Sequence, residues 1–316
     1  MARILITGGA GFIGSHVADA HLSRGDQVLI VDDLSHGRRE NVPSGAEFVE
    51  LDIRDQAVAD LLVDWRPDIV SHHAAQMDVR LSVADPRFDA SVNVDGLLNL
   101  LEAARKVGIR RFVYVSSGGV VYGEPEQRPT PESAAKLPES PYGVTKLAGE
   151  HYLYYYHRVH GVDYAALRYA NVYGPRQDPH GEAGVVAMFS NRLLARSSLT
   201  VFGDGEQTRD YVYVGDVVAA NLRVSEAELP AARSLDDRAF NVGTGIETSV
   251  NELAAGLIRA SGTRVGIDFA PPRAGELRHS SLDTTRLRAL GWEPKVKMDE
   301  GLDETYRWIA ESAARR

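Results

Sequence analysis

Apolar residues along the chain come in two rhythms. Short runs at 4–6, 26–31, 47–51, 68–72, 112–116 and 162–167 have the length and β-branched content of buried strands. Between them lie stretches with helical spacing: Val17, Ala20 and Leu22 after the first run, then 56–65, 92–106 and 141–160. Strands alternating with helices at this cadence predict an α/β architecture, a parallel sheet with crossover helices on both faces. Residues 124–139 are rich in Pro and Glu and read as a surface loop. Beyond residue 175 the pattern changes. A Gly-, Pro- and His-bearing stretch at 177–184 is followed by a helix at 185–195, a strand at 199–202 and a strand at 208–214. A helix at 215–228, a loop at 232–237, a strand at 240–243 and a helix at 248–260 come next. A loop at 269–277 and two helices flanking Gly291–Pro294 end the chain. We therefore expect an α/β domain over 1–175, with late returns to its sheet from about 208–245, and a smaller C-terminal lobe over 176–316. Neither a repeat nor a low-complexity linker interrupts this order.

The first strand runs into Thr7-Gly8-Gly9-Ala10-Gly11-Phe12-Ile13-Gly14, and the second ends in Asp32. A tight strand-to-helix turn needs residues without Cβ, and a pyrophosphate must approach its backbone closely. The free N–H groups and positive dipole end of the next helix then hold the phosphates. Gly8, Gly11 and Gly14 form a GxxGxxG triplet. Asp32 lies 18 residues past Gly14, where a carboxylate accepts hydrogen bonds from an adenosine ribose. Strand, glycine turn, helix, strand and acid together predict a Rossmann-type sheet binding a dinucleotide. An acid at 32 selects NAD over NADP, although Arg38 and Arg39 stand close by. The polar loop Asp33-Leu34-Ser35-His36-Gly37 suits the adenosine side, and Asp52-Ile53 the adenine edge. At His73-Ala74-Ala75-Gln76 the small residues let backbone pass close to a ligand.

Ligands sit at the carboxyl ends of strands in such sheets, which places the hydroxyls of Ser116 and Ser117 for chemistry. Ser140 reads as an N-cap and Pro141 as the first helical residue, so Tyr142 and Lys146 fall one turn apart on one helix face. A free phenol titrates near ~10, and a neighbouring ammonium stabilises its ionised form. His157 and His160 are spaced for a metal but have no evident third ligand, so no metal is expected; the tyrosines around them read as core and subunit interface. A net charge of −9 excludes nucleic acid as the main partner, and the absence of cysteine excludes a disulfide framework or thiol nucleophile. No apolar run approaches the ~18–20 residues of a membrane span. Because the first strand begins at once, no signal peptide is expected, and the cytoplasm is the expected location.

With Gly8, Gly11, Gly14, Ser116, Ser117, Tyr142-x-x-x-Lys146 and Asn171 in place, the chain resembles the extended short-chain dehydrogenase/reductase superfamily. Within it the chain is similar to the UDP-glucose 4-epimerase family through RYANVYGPRQ (168–177), LTVFGDG (199–205), TRDYVYVGD (208–216), FNVGTG (240–245) and PPRAGEL (271–277). The resemblance implies NAD-dependent C4 epimerisation of UDP-hexoses, UDP-glucose and UDP-galactose, through a transient 4-keto sugar. It implies Tyr142 as the base, with Lys146 depressing its pKa and bonding the nicotinamide ribose. It places the cofactor against Gly8, Gly11, Phe12, Ile13, Gly14, Asp32–Ser35, Gly37, Asp52, Ile53, His73–Gln76, Asn93, Ser116, Tyr142, Lys146 and Tyr169. On the substrate side it implies Ser117, Gly118, Tyr142, Val185, Val186, Thr200 and Val201. There too, Asn171 and Arg209 meet the diphosphate, Phe202 lies along uracil, Arg273 holds phosphate and Glu276 the uridine ribose. The competing reading of Arg209 is an ion pair with Asp210 or Asp216. A homodimer through helices at about 93–106 and 144–160 is implied as well.

Two places depart from the pattern. The third residue of the family's serine run is Gly118 here, so either Ser117 or Ser116 must reach the sugar 4-hydroxyl, and Ser117 is preferred. A bulky tyrosine of some relatives falls on Ser280, which leaves volume for an acetamido group and predicts that UDP-GlcNAc and UDP-GalNAc are also accepted. A 4,6-dehydratase would need an Asp-Glu pair where Gly118-Gly119 stand. A UDP-glucuronate 4-epimerase stays open, because Arg176 can pair a C6 carboxylate. A non-catalytic cofactor-binding protein would lose Tyr142 or Lys146, and both are present.

Overall fold

The computed structural model describes residues 1–178, 184–272 and 277–314. The buried aliphatic runs form β1 (Arg3–Thr7), β2 (Gln27–Asp32), β3 (Glu47–Glu50), β4 (Ile69–His72), β5 (Arg111–Ser117) and β6 (Tyr164–Tyr169). Ile4, Leu5 and Ile6 of β1 are wholly buried, because the sheet is covered on both faces. The connecting helices are α1 (Phe12–Ser23), α2 (Gln56–Trp65), α3 (Val79–Ala84), α4 (Pro86–Ala90), α5 (Gly96–Val107) and α6 (Pro141–His160). Then follow β7 (Asn171–Tyr173), α7 (Val185–Leu194), β8 (Leu199–Phe202), β9 (Thr208–Arg209), β10 (Tyr211–Tyr213) and α8 (Val214–Glu226). The chain closes with β11 (Ala239–Val242), β12 (Thr248–Ser249), α9 (Val250–Ser261), β13 (Ile267–Ala270), α10 (Thr285–Ala289) and α11 (Met298–Ala314).

Seven strands make one sheet in the order β11-β6-β5-β4-β1-β2-β3, parallel throughout. Strand order reverses between β1 and β4, and a crevice opens there at the carboxyl ends. One face is covered by α2, α5 and α6, whose Leu62, Leu101 and Leu153 share a core with Phe112 and Tyr114. The other carries α1 and α8 through Val17, Val217 and Val224. A separate core of Phe189, Leu199, Val201, Leu253 and Leu302 joins α7, β8, α9 and α11. Within 208–245 only β11 joins the large sheet; β9 pairs with β12 and β10 with β7 in small sheets of their own.

Three segments differ from the pattern reading. The stretch before the 92–106 helix holds two short helices. Their starts are capped by Asp78, which accepts from Leu81 N, and Asp85, which accepts from Phe88 N, with a π-helical stretch at Ser91–Asp95 leading into α5. The 124–139 segment does not stay on the surface. Thr130 and Glu132 are buried, Thr130 N donates to Ser281 O, and the Glu132 carboxylate accepts from Asn241 N. Residues 267–270 form a strand parallel to β8, so the first two residues of the loop expected at 269–277 are strand.

Candidate active site

The glycine turn sits at the crevice. Gly8 has φ +68°, and a Cβ there would lie 2.5 Å from Ala74 N, so β1 and the 73–76 loop touch backbone to backbone. A Cβ at Gly14 would lie 2.3 Å from Gly8 O. The N-terminus of α1 carries no side-chain cap and no acid in its first turn. Its orphan N–H groups, at Phe12 to Gly14, are the donors an anionic pyrophosphate needs, and in this respect the residues fit a dinucleotide. Asp32 is buried; one oxygen accepts from Ala10 N and the other from Leu34 N, both at 2.9 Å. Burial pushes its pKa up and those amides oppose it. The loop 33–37 closes over this carboxylate, with Gly37 so near that a Cβ would stand 2.5 Å from Asp32 Oδ1.

Elsewhere the expected cofactor residues divide. Ala74 and Ala75 line the loop beside Gly8. His73 places Nε2 2.9 Å from Ser71 Oγ, and its buried Nδ1 has no partner among the described residues. Burial first, and the Lys146 ammonium second, push its pKa down to about 3, so the ring is neutral. Gln76 and Asn93 bond each other and both reach Asp89, which also accepts from Thr145 Oγ1 at 2.7 Å. They therefore anchor the 73–78 loop to α6 through a buried centre. Ile53 is buried against Gly96, and the Asp52 carboxylate is held by Arg54 at 3.0 Å. Tyr169 is buried and its hydroxyl accepts from Asn221 of α8 at 2.7 Å.

The catalytic helix begins as its sequence predicts, with Ser140 Oγ accepting from Gly143 N and Pro141 in the first turn. Lys146 Nζ lies 5.8 Å from the Tyr142 ring centroid and donates to Val115 O at 3.0 Å, two residues before Ser117. Burial pulls the Lys146 pKa down to about 8, with Asp89 opposing it. Ser116 and Ser117 are placed differently. Adjacent strand residues point to opposite faces, and Ser116 is the one turned inward: it is buried and donates to Glu150 Oε1 at 2.6 Å. The half-buried Ser117 hydroxyl has no partner among the described residues. Gly118 faces Leu282, whose Cδ1 would lie 2.5 Å from an added Cβ, so side-chain volume at 118 is already filled.

On the substrate side, Asn171 is exposed on β7, while Val185, Thr200, Phe202 and Arg209 are half-buried. The side chains of Val186 and Val201 are buried in the lobe core, which leaves their backbone as the part that could meet a ligand. The two acids of the ion-pair reading of Arg209 have other partners. The Asp210 carboxylate accepts from Thr244, Gly245 N and Leu282 N, and that of Asp216 from Lys295 N and Val296 N. Arg209 Nη1 donates to Thr208 O. Arg273 and Glu276 lie outside the described residues. Arg176 pairs with Asp19 of α1 at 2.7 Å. Among the described residues no cluster of three metal-ligating side chains exists, and His157 Nδ1 lies 3.1 Å from Val162 O. Sequence reasoning missed Asp89, Asp210, Glu150 and Arg168, most of whose partners lie far along the chain; Asn93, four residues after Asp89, is the one local signal.

Comparisons with known proteins agree with this geometry. Residues 4–243 match the model of the NAD dependent epimerase/dehydratase family. The chain is 50% identical over 313 residues to a UDP-glucose 4-epimerase of Mycolicibacterium smegmatis, covering 97% of this chain and 98% of that protein. Among solved structures it is similar to UDP-glucose 4-epimerase from Thermotoga maritima with UDP-glucose, at TM-score 0.94 and 46% identity, covering 98% and 99% of the two chains. It is similar also to the Thermus thermophilus UDP-glucose 4-epimerase complex with NAD, at TM-score 0.90 and 44% identity over 97% and 98%. A glycine turn with an uncapped helix, an acid ending β2 and a Tyr–Lys pair on α6 accompany a family match over three quarters of the chain, and this protein belongs to the NAD-dependent epimerase/dehydratase family.

Proposed function

We propose that the protein epimerises UDP-hexoses at C4, interconverting UDP-glucose and UDP-galactose. The observation that carries this reading is the placement of Tyr142 and Lys146 one turn apart, with Nζ 5.8 Å from the phenol ring and tied to β5 beside Ser117. NAD, bound along Gly8–Gly14 and Asp32, supplies an acceptor and donor of hydride at the sugar carbon. Tyr142 takes the 4-hydroxyl proton and later returns it, acting as general base and then acid. The Lys146 ammonium stabilises the phenolate this requires. Ser117 orients the 4-hydroxyl, and Arg209 with Asn171 binds the diphosphate from the lobe side. In this reading residues 1–175 are the NAD-binding unit, with sheet returns from about 208–245, and 176–316 mainly the UDP-sugar lobe.

The test is incubation of the purified protein, with no cofactor added, with UDP-glucose, UDP-GlcNAc and UDP-glucuronate, resolving C4 epimers by NMR. Epimerisation of the first two is expected; no epimer from any sugar would refute the reading. Arg176, the residue that would pair a glucuronate carboxylate, is engaged by Asp19. Acceptance of the acetamido sugars rests on Ser280, which is two residues from the Leu282 that covers Gly118. Ser280→Tyr should lower kcat/KM for UDP-GlcNAc relative to UDP-glucose by roughly tenfold or more. An unchanged ratio would remove Ser280 as the determinant.

The alkaline side of the pH profile follows from Lys146. Its ammonium is present below about 8 and lost as pH rises through that value, so kcat should decline there. A profile flat up to the ordinary lysine value of ~10.4 would separate the ammonium from the reaction. We also read the protein as a cytoplasmic homodimer. Val144, Tyr152, Tyr155 and Val159 are exposed along one stripe of α6, which supports burial there by a second copy. No described helix is long and apolar enough to cross a membrane. Light scattering and cell fractionation test the two statements.

A further inference from the structure

We propose that Ser116 and Glu150 are positioning residues for the epimerisation read above, locking α6 against β5 so that Tyr142 and Lys146 are held at the end of the strand that carries Ser117. The proposal rests on that functional reading for the role of Tyr142, and on the following contacts for its geometry.

Tyr142, Lys146 and Glu150 are spaced four apart and form one stripe of α6. Three successive residues of β5 meet this stripe. The Tyr114 hydroxyl donates to Lys146 O at 3.3 Å, Lys146 Nζ donates to Val115 O at 3.0 Å, and the Ser116 hydroxyl donates to Glu150 Oε1 at 2.6 Å. Successive rungs along a strand oppose sliding of the helix, and contacts at the middle of the stripe and at its Glu150 end oppose its rotation. The next residue of the strand is Ser117.

The Glu150 end is itself immobilised. Its carboxylate, buried like Ser116, accepts from Arg168 Nε at 3.0 and 3.2 Å and from Nη2 at 2.6 Å. Arg168 passes to the Tyr122 hydroxyl at 2.9 Å and to Glu132 O at 3.0 Å, and Tyr122 donates to Asn241 Oδ1 of β11. Tyr122 belongs to the loop that leaves the Ser117 strand end. One buried ion pair thus ties the helix carrying the base, the strand end carrying the hydroxyl, and the loop between them. Apolar residues of equal volume stabilise such an interior as well or better; what directional bonds add is a unique register. Register matters here because a displacement of about 1 Å can cost on the order of 10²-fold in rate.

Ser116→Ala removes one rung without leaving a buried charge unpaired, so the protein is expected to fold. In the NAD-loaded enzyme we expect kcat to fall by about tenfold, with KM for the UDP-sugar and NAD occupancy unchanged, and Ser116→Thr to recover most of the loss. A second measurement does not need turnover: the titration of Tyr142, read as the ultraviolet difference between each protein and its Tyr142→Phe counterpart, should shift its midpoint in Ser116→Ala and return in Ser116→Thr. Unchanged kcat and midpoint in Ser116→Ala, or equal losses in the alanine and threonine variants, would overturn the proposal. Failure of the unmodified protein to epimerise any UDP-sugar defeats the functional reading instead, and the titration then decides the positioning claim alone.

Discussion

Tyr142→Phe is expected to lower kcat at least ~10²-fold while the protein keeps its NAD. The substitution removes one oxygen and little else. The start of α6 is set by Ser140 and Pro141, and Tyr142 itself is held through its backbone N–H, which donates to Ser82 Oγ at 3.2 Å. None of these depends on the phenol hydroxyl. Phenylalanine preserves the ring that faces Lys146 but cannot accept the proton of a sugar hydroxyl. Turnover near that of the unmodified protein would exclude Tyr142 as the base. Loss of bound NAD in the variant would instead make the hydroxyl a binding group.

Arg168→Met is expected to destabilise the fold by about 3–5 kcal/mol, as removal of one partner from a buried ion pair does. Arg168 is 0% exposed, and the Glu150 carboxylate left behind is 1% exposed. Burial alone opposes the charge on Arg168; the Glu150 contacts outweigh it and hold the guanidinium above its ordinary pKa. In the variant that compensation is gone, and Glu150 retains only the Ser116 hydroxyl and whatever water can enter. Replacing both Arg168 and Glu150 by apolar residues should recover most of the loss, because the fully buried carboxylate is then gone and Asp236, the second acceptor of Arg168, keeps Lys136. Denaturant unfolding of the single and double variants measures both. A cost for Arg168→Met within the ~0–1 kcal/mol range of surface pairs would mean that the centre is hydrated.

Much of the site could be read along the chain because its chemistry is local. The glycine turn, Asp32 and the capped start of α6 each depend on residues a few positions apart, whose allowed backbone angles and side-chain reach fix their geometry wherever they occur. The same holds for Tyr142 and Lys146, which helical spacing alone places on one face. Parallel order followed from the alternation of buried strands and helices, since crossover connections admit few topologies.

What stayed illegible depended on neighbours distant in sequence. Ser116 and Ser117 are indistinguishable as residue types, and adjacent positions on a strand must face opposite ways. Only the packing of α6, which brings Glu150 over Ser116, decides which hydroxyl is left to the crevice. Packing of other elements likewise turns Tyr169 towards Asn221 of α8, takes Val186 and Val201 into the lobe core, and engages Arg176 with Asp19 of α1. The 124–139 segment carries a polar composition into the interior because Asn241 and the 281–283 backbone satisfy it there. The sequence by itself determined the sheet, the nucleotide turn and the Tyr–Lys pair, because spacing along one element suffices for each. Tertiary structure alone decided which polar groups face the crevice and which are buried as partners, because a buried hydrogen bond or ion pair is specified by two elements at once.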